Sequence, residues 1–152
     1  MAKSIQTHFP NFYRLPIDEI IARHHGIYGI DYPASSSIYA AYQCEADDIY
    51  LSTFRSLLAQ KKDILLERSF YAKKDRDQYR NLVEEAGAKF VLVFLTAKGD
   101  AGKEMLWSRI CKRCEAPKTA DSALDISKEL FKTYWDNFED PVDEEEIVIR
   151  MT

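Results

Sequence analysis

The stretch "DILLERSFYAKKDRDQYRNLVEEAGAKFVLVFL", residues 63–95, decides the fold of this chain. Two apolar runs, DILLE (63–67) and KFVLVFL (89–95), flank a charged segment that ends at Gly87. Short apolar runs with polar flanks predict strands, and a glycine after the last periodic residue is typical of a helix end. KFVLVFL is apolar throughout, as expected for a strand that is covered on both faces. A strand, a helix and a strand in this order indicate the α/β class.

The same alternation extends towards both ends of the chain. Further strands are predicted at FYRL (12–15) and EIVIRM (146–151), and helices at 17–24, 36–61, 72–86, 100–114 and 125–137. Because helices separate the strands, we expect a mainly parallel sheet. The last helix is predicted to begin at an Asp125 cap, after a polar stretch that suits either a mobile lid or a plain surface loop.

The composition narrows the class of protein. With 152 residues, 46% of them hydrophobic and 30% charged, the chain has the composition of one soluble globular domain. The net charge of −4 is spread along the chain, and no apolar run has the roughly 18 residues of a membrane span. We therefore expect a cytoplasmic protein with no nucleic-acid or membrane surface. Cys111 and Cys114 have CxxC spacing but no further ligand cluster, and are interpreted as packing thiols on a helix.

Three groups of charged residues are candidates for chemistry. Asp18 follows the first strand, and the pair Glu67-Arg68 ends the second, so both would lie at the carboxyl edge where open α/β sheets bind ligands. The third group is a set of cations at helical spacing: Arg109, Lys112 and Arg113. Carboxylates opposite cations suit phosphoryl transfer. Each group also has a simpler explanation: a helix cap for Asp18, a strand-end salt bridge for Glu67-Arg68, and a solvated basic face for the three cations. From the residues alone, we favour these simpler explanations.

A phosphate-binding loop is the natural companion of such groups. The only candidate is AKGDAGKE (97–104), which follows a strand and opens a helix. It fails the pattern GxxxxGK[ST], because Ala97 replaces the first glycine and Glu104 replaces the Ser/Thr with a charge that repels phosphate. We interpret it as an ordinary strand-to-helix loop.

Four segments together resemble a known family. They are FYRLPIDEII, the stretch 63–95, LWSRICKRC and TADSALDISKELFKTYWDNFEDP. In this order they are similar to the P-loop kinase-like AAA-type ATPases grouped with zeta toxin and chloramphenicol phosphotransferase, over essentially the whole chain. The resemblance implies a single three-layer α/β/α domain over 1–152, P-loop NTPase-like, with strand order 2-3-1-4-5. In that family a Walker A loop precedes a helix like AKSIQTHF, so we expect a strand and GxxxxGK[ST] to precede Met1.

The resemblance also implies roles for particular residues. Asp18 matches the catalytic base or substrate-hydroxyl anchor, and Glu67 occupies the Walker B position that holds Mg²⁺, where the family more often has Asp. Arg76 matches a basic residue that faces the active-site crevice. The remaining matches are the cations of the lid, which itself spans roughly 114–124. Arg109 and Arg113 match lid arginines that contact the phosphates of ATP, and Lys112 is placed with them as a cofactor-binding residue.

The predicted function follows from the resemblance and from the absent loop. We expect an ATP-dependent phosphotransferase-type domain, with ATP and Mg²⁺ as implied cofactors and a small hydroxylated molecule as substrate. Without a phosphate loop, residues 1–152 are expected to be weakly active or inactive. The alternative is a non-catalytic binding module that retains the kinase scaffold. Four aromatic residues either line a substrate pocket or belong to a core or interface: Tyr28, Tyr32, Tyr39 and Tyr42.

The absent central strand leaves three structural alternatives. DILLE pairs directly with KFVLVFL in a four-stranded sheet, another chain fills the slot and makes a homodimer through exposed strand edges, or the chain is part of a longer product. Each alternative removes an unpaired strand edge that would otherwise favour aggregation.

Overall fold

A computed structural model describes residues 1–120 and 124–151. The helices are α1 (Ala2–His8), α2 (Ile17–His25), α3 (Ser36–Ala59), α4 (Lys73–Glu85), α5 (Gly99–Glu115) and α6 (Lys128–Asn137). The strands are β1 (Tyr13–Pro16), β2 (Ile64–Glu67), β3 (Val93–Thr96) and β4 (Ile147–Arg150). The chain is thus a mixture of helices and short strands, as predicted.

The first of two compact units comprises Met1–Ser69 with Lys118–Leu124. Its strands β1 and β2 pair in parallel, in a register that sets Tyr13 opposite Ile64 and ends with Pro16 opposite Glu67. Helix α2 begins directly after β1 and packs against α3. The interior contains residues from both helices and the loop between them: Ile21, Tyr28, Tyr32, Tyr39 and Ala46.

Helix α3 forms because its apolar residues recur on one face. The buried positions are Tyr39, Ala46, Tyr50, Phe54 and Leu57, at spacings of three, four and seven residues. Tyr50 and Phe54 are 0% and 1% exposed. This stripe anchors the 24-residue helix in the first unit.

The second unit comprises Phe70–Pro117 and Asp125–Thr152. Its strands β3 and β4 are also parallel, with Val93 opposite Ile147 and Thr96 opposite Arg150. Helix α4 buries Arg76, Tyr79 and Val83, and α5 packs against α6.

The predicted strands and the five longer predicted helices are confirmed in position, and their pairing is parallel as expected. The four-stranded alternative, in which DILLE pairs with KFVLVFL, is wrong: the described strands form two sheets of two strands each. The boundary between the units falls after Ser69, inside the stretch 63–95. That residues 1–152 make up one three-layer domain stays a prediction.

Two local predictions for the second unit need correction. Strand β3 is shorter than KFVLVFL and is not covered on both faces, because Val93 and Leu95 are 37% and 41% exposed. Helix α6 begins at Lys128, and its cap is Ser127, whose hydroxyl accepts a hydrogen bond from the Leu130 N–H at 3.2 Å. Serine caps as well as aspartate does, and here it stands two residues later than Asp125.

The interpretation of the cysteines as packing thiols holds only in part. Cys111 is half-buried on α5, whereas Cys114 is exposed. A residue three positions further along a helix is turned by about 60° from its predecessor. The two thiols therefore differ in burial even though they lie one turn apart.

Candidate functional site

The carboxyl edge of the first sheet carries the predicted acidic residues. Glu67 is the last residue of β2, opposite Pro16 at the end of β1, and Asp18 lies in the first turn of α2 immediately after. The parallel register therefore brings Asp18 and Glu67 to the same edge, as the sequence indicated. Carboxylates at a helix start are also stabilised by the helix dipole.

Arg14 organises this edge and was not identified from the sequence. Its Nε donates to Glu67 Oε2 at 2.5 Å, and its Nη1 donates to Glu19 Oε1 at 2.5 Å. The Arg14 side chain is 8% exposed, whereas that of Glu67 is 42% exposed. The sequence does contain a signal for this role of Arg14: a cation lies inside the apolar run FYRL, and two acids follow at the strand end. We name Arg14, Asp18, Glu19 and Glu67 the acidic edge.

The acidic edge fits Mg²⁺ only in part. Magnesium in phosphate-binding sites is commonly held by one or two carboxylates, with water and substrate phosphates completing the shell. Glu67 and Asp18 can supply the protein share of such a shell. Arg14 already occupies one oxygen of Glu67, and no group of three or more His, Cys, Asp or Glu side chains suited to a metal occurs in 1–120 and 124–151. Phosphate oxygens are therefore a necessary part of any magnesium site here.

The predicted cations lie on the second unit. Arg109, Lys112 and Arg113 are all exposed on α5, with Lys112 and Arg113 in its last turn. The helix dipole favours cations at that end. Arg109 Nη1 also lies 3.5 Å from the Met151 sulfur. We name these three residues the basic face.

Arg76 lies in a buried ion pair instead of on an open surface. Its Nε and Nη2 donate to the two carboxylate oxygens of Glu144 at 3.0 and 2.8 Å, and its Nη1 donates to the Phe70 carbonyl at 2.9 Å. The residue is 1% exposed. The position facing a crevice that the resemblance implied is thus not the one observed, because Glu144 draws the guanidinium into the interior. Any catalytic role of Arg76 stays a prediction.

Glu144 belongs to the acidic segment FEDPVDEEE (138–146), a run of charges that is typical of a solvated loop. The residue is 6% exposed, and Arg80 Nη2 also donates to its carbonyl at 3.2 Å. The hydrogen bond from Arg76 holds the pKa of Glu144 below its usual range, and the same bond raises the pKa of Arg76. The segment therefore contributes one carboxylate to the interior, a feature that no local pattern reveals.

Residues 97–104 comprise a short connection, Ala97-Lys98, and the first turns of α5, consistent with the interpretation as an ordinary strand-to-helix segment. A side chain at Gly102 would bring its Cβ within 2.8 Å of the Ala97 carbonyl carbon. Glycine is present there because the start of α5 packs closely on the end of β3. Close packing therefore explains this residue without a phosphate ligand.

The tyrosine cluster of the first unit is core. Tyr28, Tyr32 and Tyr39 are each 8% exposed and make edge-to-face contacts, with ring centroids 5.6 to 5.9 Å apart. Burial raises the pKa of Tyr32, whose hydroxyl has no hydrogen-bond partner among the residues described. Of the two interpretations of these tyrosines, the structure favours the core.

Part of the predicted lid, 114–124, lies against this core. Lys118 Nζ sits 5.0 Å from the Tyr28 ring centroid and 3.4 Å from the Tyr28 carbonyl oxygen. Leu124 packs against the same cluster. Residues 121–123 lie outside the described residues, and the lid function stays a prediction.

The second unit contains a cleft of about 480 Å³ lined by aromatic side chains. Its aromatic residues are Phe94, Phe131, Tyr134, Trp135 and Phe138, and we name this set the aromatic cleft. The sequence signal was present as F-x-x-Y-W-x-x-F at 131–138, in which the aromatic residues share one helix face.

No protein-family model, curated protein sequence or solved structure matches this chain. Among the residues that the structure describes, none of the helices combines the length and the apolar character needed to cross a membrane.

Proposed function

We propose that residues 1–152 are the larger part of a P-loop kinase-like domain with a three-layer α/β/α fold, of the ATP-dependent small-molecule phosphotransferase type. The observation that carries the proposal is the pairing of the strands. In an order 2-3-1-4-5, the second strand pairs with the third and the fourth with the fifth, all in parallel. The pairs β1–β2 and β3–β4 correspond to these two pairs in chain order and direction.

The acidic edge supports the same proposal. The Asp18 carboxylate would accept the proton of the acceptor hydroxyl as that oxygen attacks the γ-phosphorus of ATP, while the bond to the bridging oxygen breaks and ADP leaves. Glu67 would hold Mg²⁺ through water, and Arg14 would keep the Glu67 carboxylate at the sheet edge. Bound Mg-ATP would supply the transferable γ-phosphoryl group and the charge of the metal.

The basic face would neutralise phosphate charge. Arginine presents several N–H donors in a planar group that matches phosphate oxygens, and Lys112 adds a point charge. The loop at 97–104 does not fit a phosphate cradle, so the proposal places the GxxxxGK[ST] loop in a segment outside 1–152. Without it, residues 1–152 alone bind Mg-ATP weakly, because several charge-assisted hydrogen bonds of about 1.5–3 kcal/mol each are missing.

The basic face can be tested by itself with inorganic tripolyphosphate as the probe. Isothermal titration at low salt should show binding that falls by about tenfold in the double variant Lys112→Ser/Arg113→Ser. The matched control is Arg55→Ser/Lys74→Ser, which removes the same charge from two exposed helix positions. Equal loss in both double variants would mean that net charge alone attracts the probe, and would sink the assignment of these residues.

The non-catalytic binding module is the second candidate, and the Arg14–Glu67 ion pair is the observation that favours it. A carboxylate already held by arginine is less available to a metal. The two candidates differ in their response to Mg²⁺. If the protein is a phosphotransferase, a chain that carries the phosphate loop should bind ATP more tightly with Mg²⁺ than without it. Glu67→Gln should remove that gain in affinity. For the binding module, anion binding should be independent of both Mg²⁺ and Glu67.

A further inference from the structure

The aromatic cleft is a feature to which the proposed phosphotransferase chemistry assigns no role. Its volume of about 480 Å³ lies within the range of about 300–1,000 Å³ that is typical of small-molecule sites. Phe94 projects from β3, while α6 and its C-cap supply the other aromatic residues. Leu95 and Leu106 add aliphatic surface to the lining.

One ring of the cleft remains open to water. Tyr134 is 44% exposed, although the edge of its ring contacts Tyr71 at a centroid distance of 5.9 Å. Phe131, on the preceding turn, is only 8% exposed and contacts Trp107 and Trp135. The cleft therefore has a packed aromatic floor and an exposed aromatic wall. A flat apolar molecule placed there would remove the exposed ring from water and stack against it.

The charges around the cleft are balanced. Lys98 and Asp140 line the cleft and pair with each other. Lys103 lies 5.6 Å from the centroid of the Trp135 ring, and its Nζ is 3.5 Å from Asp136 Oδ1. Since each of these lysines has a carboxylate partner, the cleft carries no excess charge that would select an anion or a cation.

We propose that the aromatic cleft binds an uncharged, planar aromatic small molecule of one or two fused rings. The aromatic lining selects the flat shape, the volume limits the size, and the paired charges select neutrality. The site is built within the second unit alone. The inference does not rest on the proposed phosphotransferase function.

The first test uses four probes of similar size in isothermal titration against the 152-residue chain. They are 2-naphthylmethanol, 2-naphthoate, 2-naphthylmethylammonium and decahydro-2-naphthylmethanol. We expect saturable binding of 2-naphthylmethanol, with each of the other three weaker by at least about fivefold because charge or a saturated ring removes one source of fit. Absence of saturable 2-naphthylmethanol binding, or tighter binding of either charged probe, would overturn the proposal.

The second test locates the site. Tyr134→Ala should weaken 2-naphthylmethanol binding by about three- to tenfold, while Tyr134→Phe, which keeps the ring, should bind like the wild type. Tyr13→Ala is the matched control, since Tyr13 is 46% exposed but lies in the first unit. Because Tyr134 is exposed, Tyr134→Ala should stay folded, so unfolding should not be the cause of weaker binding. A thermal melt of each variant checks this. The cleft would be excluded as the binding site if Tyr134→Ala bound 2-naphthylmethanol as tightly as the wild type. Equal weakening in Tyr134→Ala and Tyr13→Ala would exclude it as well.

Discussion

The two sheets of the described residues each contain two parallel strands of four residues, yet they differ in how they are covered. In β1–β2, Leu15 is 5% exposed and every residue of β2 is half-buried. In β3–β4, every residue of β4 is exposed, and Ile147 reaches 53%. Both sheets come from similar apolar runs. The apolar character of a run therefore predicts a strand without predicting what covers it.

The difference extends to what holds each unit together. The first unit has a core of aliphatic and aromatic side chains, in which Ile21, Tyr50 and Phe54 are at most 1% exposed. The second unit places a charged residue, Arg76, at the same depth and neutralises it with Glu144. Helix α4 is thereby tied to the segment just before β4.

The largest expected effect is the loss of that ion pair. Glu144→Ala should lower the free energy of unfolding of the second unit by about 3–5 kcal/mol, because Arg76 would be left buried and unpaired. Urea unfolding followed by circular dichroism and tryptophan fluorescence measures it, since both tryptophans lie in the second unit. The double variant Arg76→Met/Glu144→Leu is the control and should recover much of the loss. A loss below about 1 kcal/mol in Glu144→Ala would show that the second unit does not depend on this pair.

The same pair gives the second unit a defined sensitivity to acid. Because the pKa of Glu144 is lowered in the folded state, its contribution is complete above the unfolded value of about 4.3 and is lost as pH falls through the folded value. Tryptophan fluorescence at low urea, recorded from neutral to acid pH, should show the loss. In Glu144→Gln the acid-dependent part should be smaller. An identical pH profile in that variant would assign the sensitivity to other carboxylates.

Truncation of one residue in each sheet tests the comparison directly. Leu15→Ala in β1 should cost about 2–5 kcal/mol, because it leaves a cavity beside buried side chains. Ile147→Ala in β4 should cost less than about 1 kcal/mol, because half of the side chain is already in water. Urea unfolding of the two variants gives both values. Equal costs would show that the face of β3–β4 is covered in solution, and the contrast between the sheets would fail.

The smallest expected effect concerns the cap of α6. Ser127→Ala should lower stability by about 1 kcal/mol, since the Leu130 N–H loses its acceptor. Asp125→Ala tests the other candidate cap and should lower stability by less than Ser127→Ala does, because the Leu130 N–H keeps its acceptor. A thermal melt of both variants decides between the two caps. A larger loss of stability in Asp125→Ala than in Ser127→Ala would support Asp125 as the cap, as the sequence predicts.

The sequence predicted the elements and the shared position of Asp18 and Glu67 at one sheet edge, because both follow from local patterns. Apolar runs and helical periodicity locate the strands and helices, and the parallel register then fixes Glu67 beside the start of α2. The burial of Glu144 could not be predicted in this way. Arg76 and Glu144 are 68 residues apart in sequence, and whether an acid in FEDPVDEEE is solvated depends on the partner that the fold brings to it.

The Arg14–Glu67 ion pair and the aromatic cleft could be predicted from the sequence only in part. Arg14 stands 53 residues before Glu67, so its partner was hidden, but an arginine inside an apolar strand was visible. The aromatic stripe of α6 was equally visible as a spacing. Its cleft was not, because a stripe of aromatic residues more often fills a core completely.

The central proposal is that residues 1–152 belong to a P-loop kinase-like domain in which β1–β2 and β3–β4 correspond to two parallel strand pairs, and whose phosphate loop lies outside residues 1–152. The most direct measurement is the amino-terminal sequence of the protein isolated from its natural source. We predict that it begins upstream of Met1, with an apolar run followed by GxxxxGK[ST] just before the helix AKSIQTH. A natural protein that begins at Met1 or Ala2 would contradict the claim.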